Sequence, residues 1–219
     1  MMLQFAVNGF IRSGSIGHKL ARMLLFLCSA CLLQACDSPK LTTLDSADVV
    51  IAFGDSLTAG VGASTGNSYP SVLARLSGLT VVNAGVSGET THEGLLRLPK
   101  VIEEHNPRLL ILLEGGNDIL RNKSFAQVEK NLDKMIQLAL DRGIQVVLIG
   151  VPEKNLFSSS APFYRALAEK HDLVFDANLI AGLMRSPSKK SDAIHFNDEG
   201  YALMAEGIYE LLSDHGAIN

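Results

Sequence analysis

The sequence predicts a single α/β domain, built as a three-layer α/β/α sandwich around a five-stranded parallel sheet. From residue 49 to residue 213, short apolar runs alternate with longer stretches in which apolar residues recur at helical spacing. The apolar runs are continuous, as in strands that are covered on both faces of a sheet. Strands that alternate with helices build βαβ units and hence a parallel sheet. Neither an internal repeat nor a second domain boundary interrupts this series.

Each element follows from its local pattern. The apolar runs predict strands at 49–53, 79–82, 109–113, 145–149 and 173–175. Helical spacing predicts helices at 69–76, 89–104, 124–143, 162–171 and 198–213. Pro99 is expected to kink or split the second of these helices, because proline lacks a backbone N–H. Ser124 and Gln127 have the spacing of a capping box at the start of the third.

The first 36 residues have the composition of an export signal. Basic residues precede an apolar run over 23–33, which is too short to span a bilayer as a helix. The run ends in Leu33-Gln34-Ala35-Cys36, which resembles the lipobox of bacterial lipoproteins, with an ordinary cleaved signal as the alternative. This resemblance implies lipidation of Cys36, and Asp37 resembles an inner-membrane retention signal. The expected organisation is a lipoprotein signal over 1–36, a tether over 37–47 and a folded domain over 48–219, held in the periplasm by its lipid.

Composition excludes several classes of function. All three cysteines lie within the first 36 residues, so the domain has no disulfide framework and no thiolate metal site. No His, Asp or Glu cluster has metal-ligand spacing, and neither a dinucleotide loop nor a P-loop is present, so neither metal nor cofactor is expected. The net charge is -4, with no basic block and no tryptophan, which argues against nucleic acid as a partner.

Four short motifs carry chemistry, and three of them directly follow predicted strands. They are Gly54-Asp55-Ser56-Leu57, Asn83-Ala84-Gly85, Gly115-Gly116-Asn117-Asp118 and Asp192-Ala193-Ile194-His195. Ligands of open parallel sheets bind at the carboxyl ends of the strands, where the first three motifs should meet. Each motif alone is equally typical of an ordinary turn.

The residue types in these motifs suit nucleophilic catalysis. Ser56 is the candidate nucleophile, because a tight turn after a strand exposes the hydroxyl. Asp192 precedes His195 by three residues and can bind its Nδ1 side, which leaves Nε2 to accept the serine proton. Gly85, through its N–H, and Asn117, through its side-chain amide, are candidate oxyanion donors.

Together and in this order, the motifs resemble the four blocks of the SGNH (GDSL) hydrolases, over roughly residues 49–213. The resemblance implies a flavodoxin-like fold and a triad of Ser56, Asp192 and His195. It also implies an oxyanion hole made by the Ser56 N–H, Gly85 and Asn117. The likeness is strongest to the bacterial periplasmic thioesterase, lysophospholipase and arylesterase branch, whose members are often monomers, so a monomer is expected.

The prediction is therefore a serine ester hydrolase that forms an acyl-enzyme on Ser56 and acts on a small-molecule or lipid ester. Its activity should fall in acid as the imidazole of His195 takes up a proton. Phe196 stands where that branch usually has proline, which alters the rigidity of the loop and not its chemistry. The predicted substrate-binding residues, beside the nucleophile and on the loops after the third and fourth strands, are Asp55, Leu120, Leu156 and Phe157.

Two other functions stay open at this point. An acyltransferase of the same family would pass the acyl group to an envelope sugar or lipid instead of water. A catalytically silent envelope-binding protein would keep the fold alone. Ser87 is a rival nucleophile, although the sequence places no base beside it.

Overall fold

A computed structural model of the chain describes residues 40–154 and 159–218. Its strands are β1 (Val49–Gly54), β2 (Thr80–Gly85), β3 (Leu109–Leu113), β4 (Gln145–Ile149) and β5 (Val174–Asp176). Its α-helices are α1 (Ser56–Ala59), α2 (Tyr69–Ser77), α3 (Thr91–His105), α4 (Gly116–Leu120), α5 (Phe125–Leu140), α6 (Pro162–His171), α7 (Leu179–Met184) and α8 (Asp198–Asp214). A 3₁₀ turn at Pro187–Lys189 completes the secondary structure of these residues.

The five strands form one parallel sheet in the order β2-β1-β3-β4-β5. Helices α2, α7 and α8 pack together on one face, and α3, α5 and α6 pack together on the other. The central strands β1 and β3 are buried along almost their whole length, which is why they consist of uninterrupted apolar residues. The predicted three-layer architecture is thus confirmed.

The register of the sheet brings three chain segments to one place. Gly54, the last residue of β1, pairs with Gly85 at the end of β2 and with Leu113 at the end of β3. The segments that follow these residues therefore leave the sheet side by side at its carboxyl edge. The first three sequence motifs meet there, as the sequence predicts.

The structure excludes one of the two alternatives for Pro99 and contradicts the capping box expected at Ser124. α3 runs without interruption from Thr91 to His105, so Pro99 does not split it. Ser124 does precede α5, but its side chain caps no backbone group. The chain forms a capping box two helices earlier, where Glu93 and Thr90 satisfy each other's backbone N–H at the start of α3.

Residues 41–44 lie against the folded domain, although the sequence assigns them to the tether. The Leu41 N–H donates to the His215 carbonyl at 2.8 Å, and the Leu44 N–H donates to the Ala217 carbonyl at 2.9 Å. The Leu44 side chain is buried with the core.

Of the other N-terminal predictions, those on Cys36 and Asp37 lie outside the described residues. None of the described helices combines the length and the apolar character that a membrane crossing needs.

Candidate active site

Ser56 lies at the carboxyl edge of the sheet, where β1 passes through Asp55 into α1. Its side chain is almost buried, and only 8% of the residue is exposed. Asp55 caps α1, because its Oδ1 accepts the Leu57 N–H at 3.0 Å. The cap fixes the turn that presents the Ser56 hydroxyl to the cleft.

His195 contacts the serine hydroxyl from the loop before α8. Its Nε2 lies 3.0 Å from Ser56 Oγ, and its Nδ1 lies 2.7 Å from Asp192 Oδ2. Both distances are within hydrogen-bonding range, so a proton on Nδ1 is held by the carboxylate and Nε2 faces the hydroxyl as an acceptor. The structure therefore brings together the three side chains that the sequence pairs across 139 residues.

Asp192 is held as a carboxylate by its surroundings. The hydrogen bond from the His195 ring, together with N–H groups of Ile194 and His195 at 2.8 Å from Oδ1, lowers its pKa to about 2. The carboxylate is thus charged at every pH at which an esterase would be assayed, although half of its side chain is exposed.

Phe196 fixes the loop that carries this pair. The residue is completely buried, and its ring meets the Tyr201 ring edge-on with 5.6 Å between centroids. Lys190 pairs with Phe196 in an isolated antiparallel bridge, which closes the loop into a narrow turn. An apolar anchor therefore holds the loop where the resembling branch usually has proline.

Asn117, on α4, reaches into the same cleft. Its Nδ2 donates to the main-chain carbonyl of Glu89 at 3.0 Å and lies 3.3 Å from Asp55 Oδ2. An amide nitrogen carries two hydrogens, so one is taken by Glu89 and the other points toward Asp55 across a long contact. In this structure the second hydrogen is thus bonded to Asp55, so a developing oxyanion would have to take the place of that long contact.

Gly85, the third predicted oxyanion donor, is engaged elsewhere. Its N–H donates to Asn83 Oδ1 at 3.0 Å. A Cβ at this position would lie 2.1 Å from the Ala59 N, so the glycine allows β2 and α1 to touch. The structure thus does not bring the Gly85 N–H into the cleft as a free donor.

Gly88 offers a further backbone N–H beside Glu89, one that the sequence motifs did not indicate. The Glu89 N–H donates to the Val86 carbonyl at 3.2 Å, which closes a turn with Gly88 in its third position at φ 81°. Such a turn does not use the N–H of its third residue. Within residues 40–154 and 159–218, that N–H has no acceptor in the hydrogen-bond network. The sequence does carry a signal for this turn. Gly88 is the second glycine at the carboxyl end of β2, following Gly85, and the positive φ at its position favours glycine.

Four carboxyl groups near the site are buried and close enough to affect one another electrostatically. They are Asp55, Glu89, Glu114 and Asp118. Burial raises the pKa of Asp55 to about 6, even though its backbone hydrogen bond and His195 act in the opposite direction. Burial also raises the pKa of Glu114 well above its usual value, with nearby Asp55 and Glu89 adding to the effect. Burial thus favours the neutral form of Glu114.

A cavity of about 240 Å³ opens beside Ser56. Its walls are mainly apolar and are formed by Leu57, Ile119, Leu120, Val151, Pro152, Met184, Ala193 and Ile194. Asp55, Asn117 and His195 also line it, while Glu153 and Lys154 stand at one side. Of the predicted substrate-binding residues, Asp55 and Leu120 thus border the cavity, and Leu156 and Phe157 lie outside the described residues. No three His, Cys, Asp or Glu side chains in the described parts of the chain are grouped to hold a metal ion.

Comparison with known proteins identifies relatives of this site. Residues 52–203 match the model of the GDSL-like lipase/acylhydrolase family. An arylesterase of Vibrio mimicus is 32% identical over 208 residues, which cover 90% of this chain and 98% of the relative. Thioesterase 1/protease 1/lysophospholipase L1 of Escherichia coli K12 is 39% identical over 169 residues, which cover 74% of this chain and 81% of the relative.

Solved structures agree with the sequence relatives. The crystal structure of TesA superposes with a TM-score of 0.69 at 27% identity, covering 77% of this chain and 99% of that one. AlinE4, an esterase of the SGNH-hydrolase family, superposes with a TM-score of 0.61 at 34% identity, covering 78% and 94%. Since the family model alone spans more than half of the sequence, this chain belongs to the GDSL-like lipase/acylhydrolase (SGNH) family and is a serine ester hydrolase.

Proposed function

We propose that Ser56, His195 and Asp192 are the catalytic triad and that hydrolysis passes through an acyl-enzyme on Ser56. The observation that carries this proposal is the continuous hydrogen-bonded line from Ser56 Oγ through His195 to Asp192, at 3.0 Å and 2.7 Å. It joins a nucleophile, a base and an orienting carboxylate in the arrangement that acyl transfer needs.

In the first half of the reaction, Ser56 Oγ attacks the carbonyl carbon while His195 Nε2 takes the hydroxyl proton. The carbonyl oxygen becomes an oxyanion, and the bond to the leaving group then breaks as His195 protonates that group. Water repeats the sequence on the acyl-enzyme, with His195 again the base, and releases the carboxylic acid and free Ser56.

The proposed oxyanion donors are the Ser56 N–H and the second Asn117 Nδ2 hydrogen. The third donor was assigned to Gly85 from the sequence. We propose the Gly88 N–H in its place, because the Gly85 N–H already has an acceptor in Asn83. Glu89, directly after Gly88, is bonded to Asn117 through its carbonyl, which keeps this turn beside the amide.

The apolar cavity is proposed to take the acyl part of the ester, with Leu120 and Ile119 on one wall and Asp55 below. Leu156 and Phe157 remain proposed members of this site on sequence grounds. A cavity of about 240 Å³ suits a short or medium acyl chain better than a long one. Shortening Leu120 to Ala should shift the preference toward longer acyl chains.

The test is hydrolysis of p-nitrophenyl esters of graded chain length by the wild type, Ser56→Ala and Ser87→Ala. Loss of turnover in Ser56→Ala alone, with trapping of labelled acyl groups on wild-type Ser56, supports the proposal. Turnover that survives in Ser56→Ala but disappears in Ser87→Ala would make Ser87 the nucleophile. Acyl groups appearing on an added sugar instead of in free acid would identify an acyltransferase.

Export and lipid anchoring are proposed from the sequence of residues 1–37. The lipobox-like Leu33-Gln34-Ala35-Cys36 supports acylation of Cys36, and Asp37 supports retention at the inner membrane. Metabolic labelling with radioactive palmitate should mark the wild type and not Cys36→Ser. A labelled Cys36→Ser protein would contradict the assignment, and an unlabelled wild type, shortened by cleavage, would indicate an ordinary secreted enzyme.

A further inference from the structure

Arg97 ties three parts of the active-site edge together, although it does not touch Ser56 or its triad partners. Its Nε donates to Glu89 Oε1 at 2.7 Å, and its Nη2 donates both to Glu89 Oε2 and to the Ala84 carbonyl. The guanidinium carbon lies 4.1 Å from the centroid of the Phe53 ring. One side chain of α3 thus links β1, the end of β2 and the turn that follows it.

Glu89 is the partner that needs this contact most. Only 4% of its side chain is exposed, whereas the Arg97 side chain is 25% exposed. A buried carboxylate is strongly destabilising unless a cation and hydrogen bonds compensate for its lost water. Glu114 and Asp118, which are also buried, supply no positive charge to Glu89. Removing Arg97 would therefore leave the Glu89 carboxylate either to take up a proton or to turn toward solvent.

The main chain of Glu89 is what orients the oxyanion donor. Its carbonyl accepts one Asn117 Nδ2 hydrogen at 3.0 Å, which sets the plane of the amide and hence the direction of the second hydrogen. A movement of Glu89 toward water would carry this carbonyl with it. The Asn117 amide would then lose the hydrogen bond that fixes its orientation, while the distances within the triad would stay unchanged.

We propose that Arg97 is a positioning residue of the oxyanion hole, which acts on Asn117 through the buried carboxylate and the main-chain carbonyl of Glu89. The inference rests on the proposed role of Asn117 as an oxyanion donor. It assigns to Arg97 an effect on the transition state and not on the binding of the ester, because the guanidinium does not border the acyl cavity. Misplacing an oxyanion donor lowers kcat far more than it alters KM.

The experiment is a double-mutant cycle in the full-length protein, with p-nitrophenyl butyrate as the substrate. Asn117→Ala should lower kcat by about 10²–10³-fold. Arg97→Met should lower kcat by about 10–100-fold, with KM within about twofold of the wild type. If Arg97 acts through Asn117, adding Arg97→Met to Asn117→Ala should lower kcat by less than about threefold more.

Controls separate this role from a general loss of fold. Arg97→Lys keeps the charge but not the fork that reaches Glu89 and Ala84 together, so its kcat should lie between those of the wild type and Arg97→Met. Lys100→Met, an exposed change on the same helix, should leave kcat unchanged. Circular dichroism and the melting temperature report folding of each variant, and Arg97→Lys carries the test if Arg97→Met does not fold.

The outcomes distinguish a failure of the oxyanion role of Asn117 from a failure of the positioning role of Arg97. A normal kcat in Asn117→Ala would overturn the proposed oxyanion role itself. A low kcat in Asn117→Ala together with a normal kcat in folded Arg97→Met or Arg97→Lys would overturn the inference about Arg97 alone. Losses that multiply in the double variant would also overturn it, because they would show that Arg97 acts independently of Asn117.

Discussion

The residue before the nucleophile is an acid that the folded state is reluctant to ionise. Asp55 is 4% exposed and faces other buried carboxyl groups, and its pKa rises from 3.8 to about 6. Such a shift destabilises the folded state by about 3 kcal/mol once the pH exceeds both values. The same carboxyl group caps α1 and lies beside the Asn117 amide. The protein thus loses stability at a residue that helps to assemble the active site.

Asp55→Asn should therefore stabilise the protein at neutral pH. The direction of the effect follows from the raised pKa. The stability that the wild type gains from a protonated Asp55 is fully present below about pH 3.8 and is lost as the pH rises through about 6. Asparagine is also a good N-cap, so the cap is preserved. We expect the variant to be more stable by about 1–3 kcal/mol at pH 7.5 and by almost nothing at pH 4. Urea unfolding at both pH values measures this, and an equal gain at both would exclude the ionisation of Asp55 as the cause.

Asp192 makes the opposite kind of contribution. Its pKa of about 2 keeps it charged, and its charge and geometry hold the His195 tautomer that the reaction needs. Asp192→Asn can still accept the backbone N–H groups but favours the wrong tautomer, so kcat should fall by about 10²–10⁴-fold with little change in melting temperature. A variant that retains more than a tenth of the wild-type kcat would show that His195 does not depend on this carboxylate.

At the scale of the elements, the position of the nucleophile depends on how closely β2 approaches α1. A methyl group on Gly85 would lie 2.1 Å from the Ala59 N and 2.6 Å from the Thr58 carbonyl carbon. Both are backbone atoms, which cannot rotate away, so α1 itself would have to shift. The close packing of β2 against α1 is thus sufficient to explain the glycine.

Gly85→Ala should lower the free energy of unfolding by about 1–3 kcal/mol and should also lower kcat, because α1 begins at Ser56. Gly182→Ala is the matched control. Gly182 lies in helix α7 with no atom within 4 Å of an added Cβ, so this change should be neutral or stabilising by up to about 1 kcal/mol. Urea unfolding and kcat of the two variants give the comparison. Equal unfolding energies for both would contradict the packing argument.

The sequence predicted elements well where the signal was local and periodic. β3 (Leu109–Leu113), β4 (Gln145–Ile149) and α6 (Pro162–His171) have the predicted bounds, because a strand buried on both faces or an amphipathic helix is visible in its own residues. The capping box at Thr90 was missed and one at Ser124 was wrongly expected, since the motif specifies residue types but not side-chain direction.

The candidate site shows the same difference between features with a local signal in the sequence and features that depend on the folded structure. The meeting of Ser56, Asn117 and His195 at one edge of the sheet was predictable, because each is a polar side chain beside the end of an element. The role of Gly85 was not, because a backbone N–H leaves no mark in the sequence and its acceptor, Asn83 Oδ1, is known only from the folded turn. The Glu89–Arg97 pair was equally invisible, since only burial makes that pair important.

At the scale of the whole molecule, the folded domain is closed by a contact between residues 41–44 and the segment that follows α8. Leu41 and Leu44 bond to the segment that follows α8, and Thr43 Oγ1 donates to the Gly216 carbonyl at 2.9 Å. Thr42 and Gln145, at the start of β4, exchange a further pair of hydrogen bonds. These contacts lie at the amino edge of the sheet, opposite the catalytic edge. The polar composition of residues 37–47 predicted a tether here. A hydrogen bond between residues 173 positions apart leaves no local signal in the sequence, so this contact was not predictable.

Two truncated forms test whether this segment belongs to the domain. A form that begins at Lys40 keeps all of these contacts, whereas one that begins at Ala47 loses the Leu44 side chain and the hydrogen bonds of residues 41–43. Burial of one leucine contributes about 2 kcal/mol and each of the lost hydrogen bonds up to about 1 kcal/mol, so the shorter form should be less stable by about 2–7 kcal/mol. Urea unfolding of both forms measures the difference, with kcat at low temperature as the control. Because the lost contacts are far from Ser56, kcat of the folded fraction should be unchanged. Equal midpoints for the two forms would return residues 41–46 to the tether.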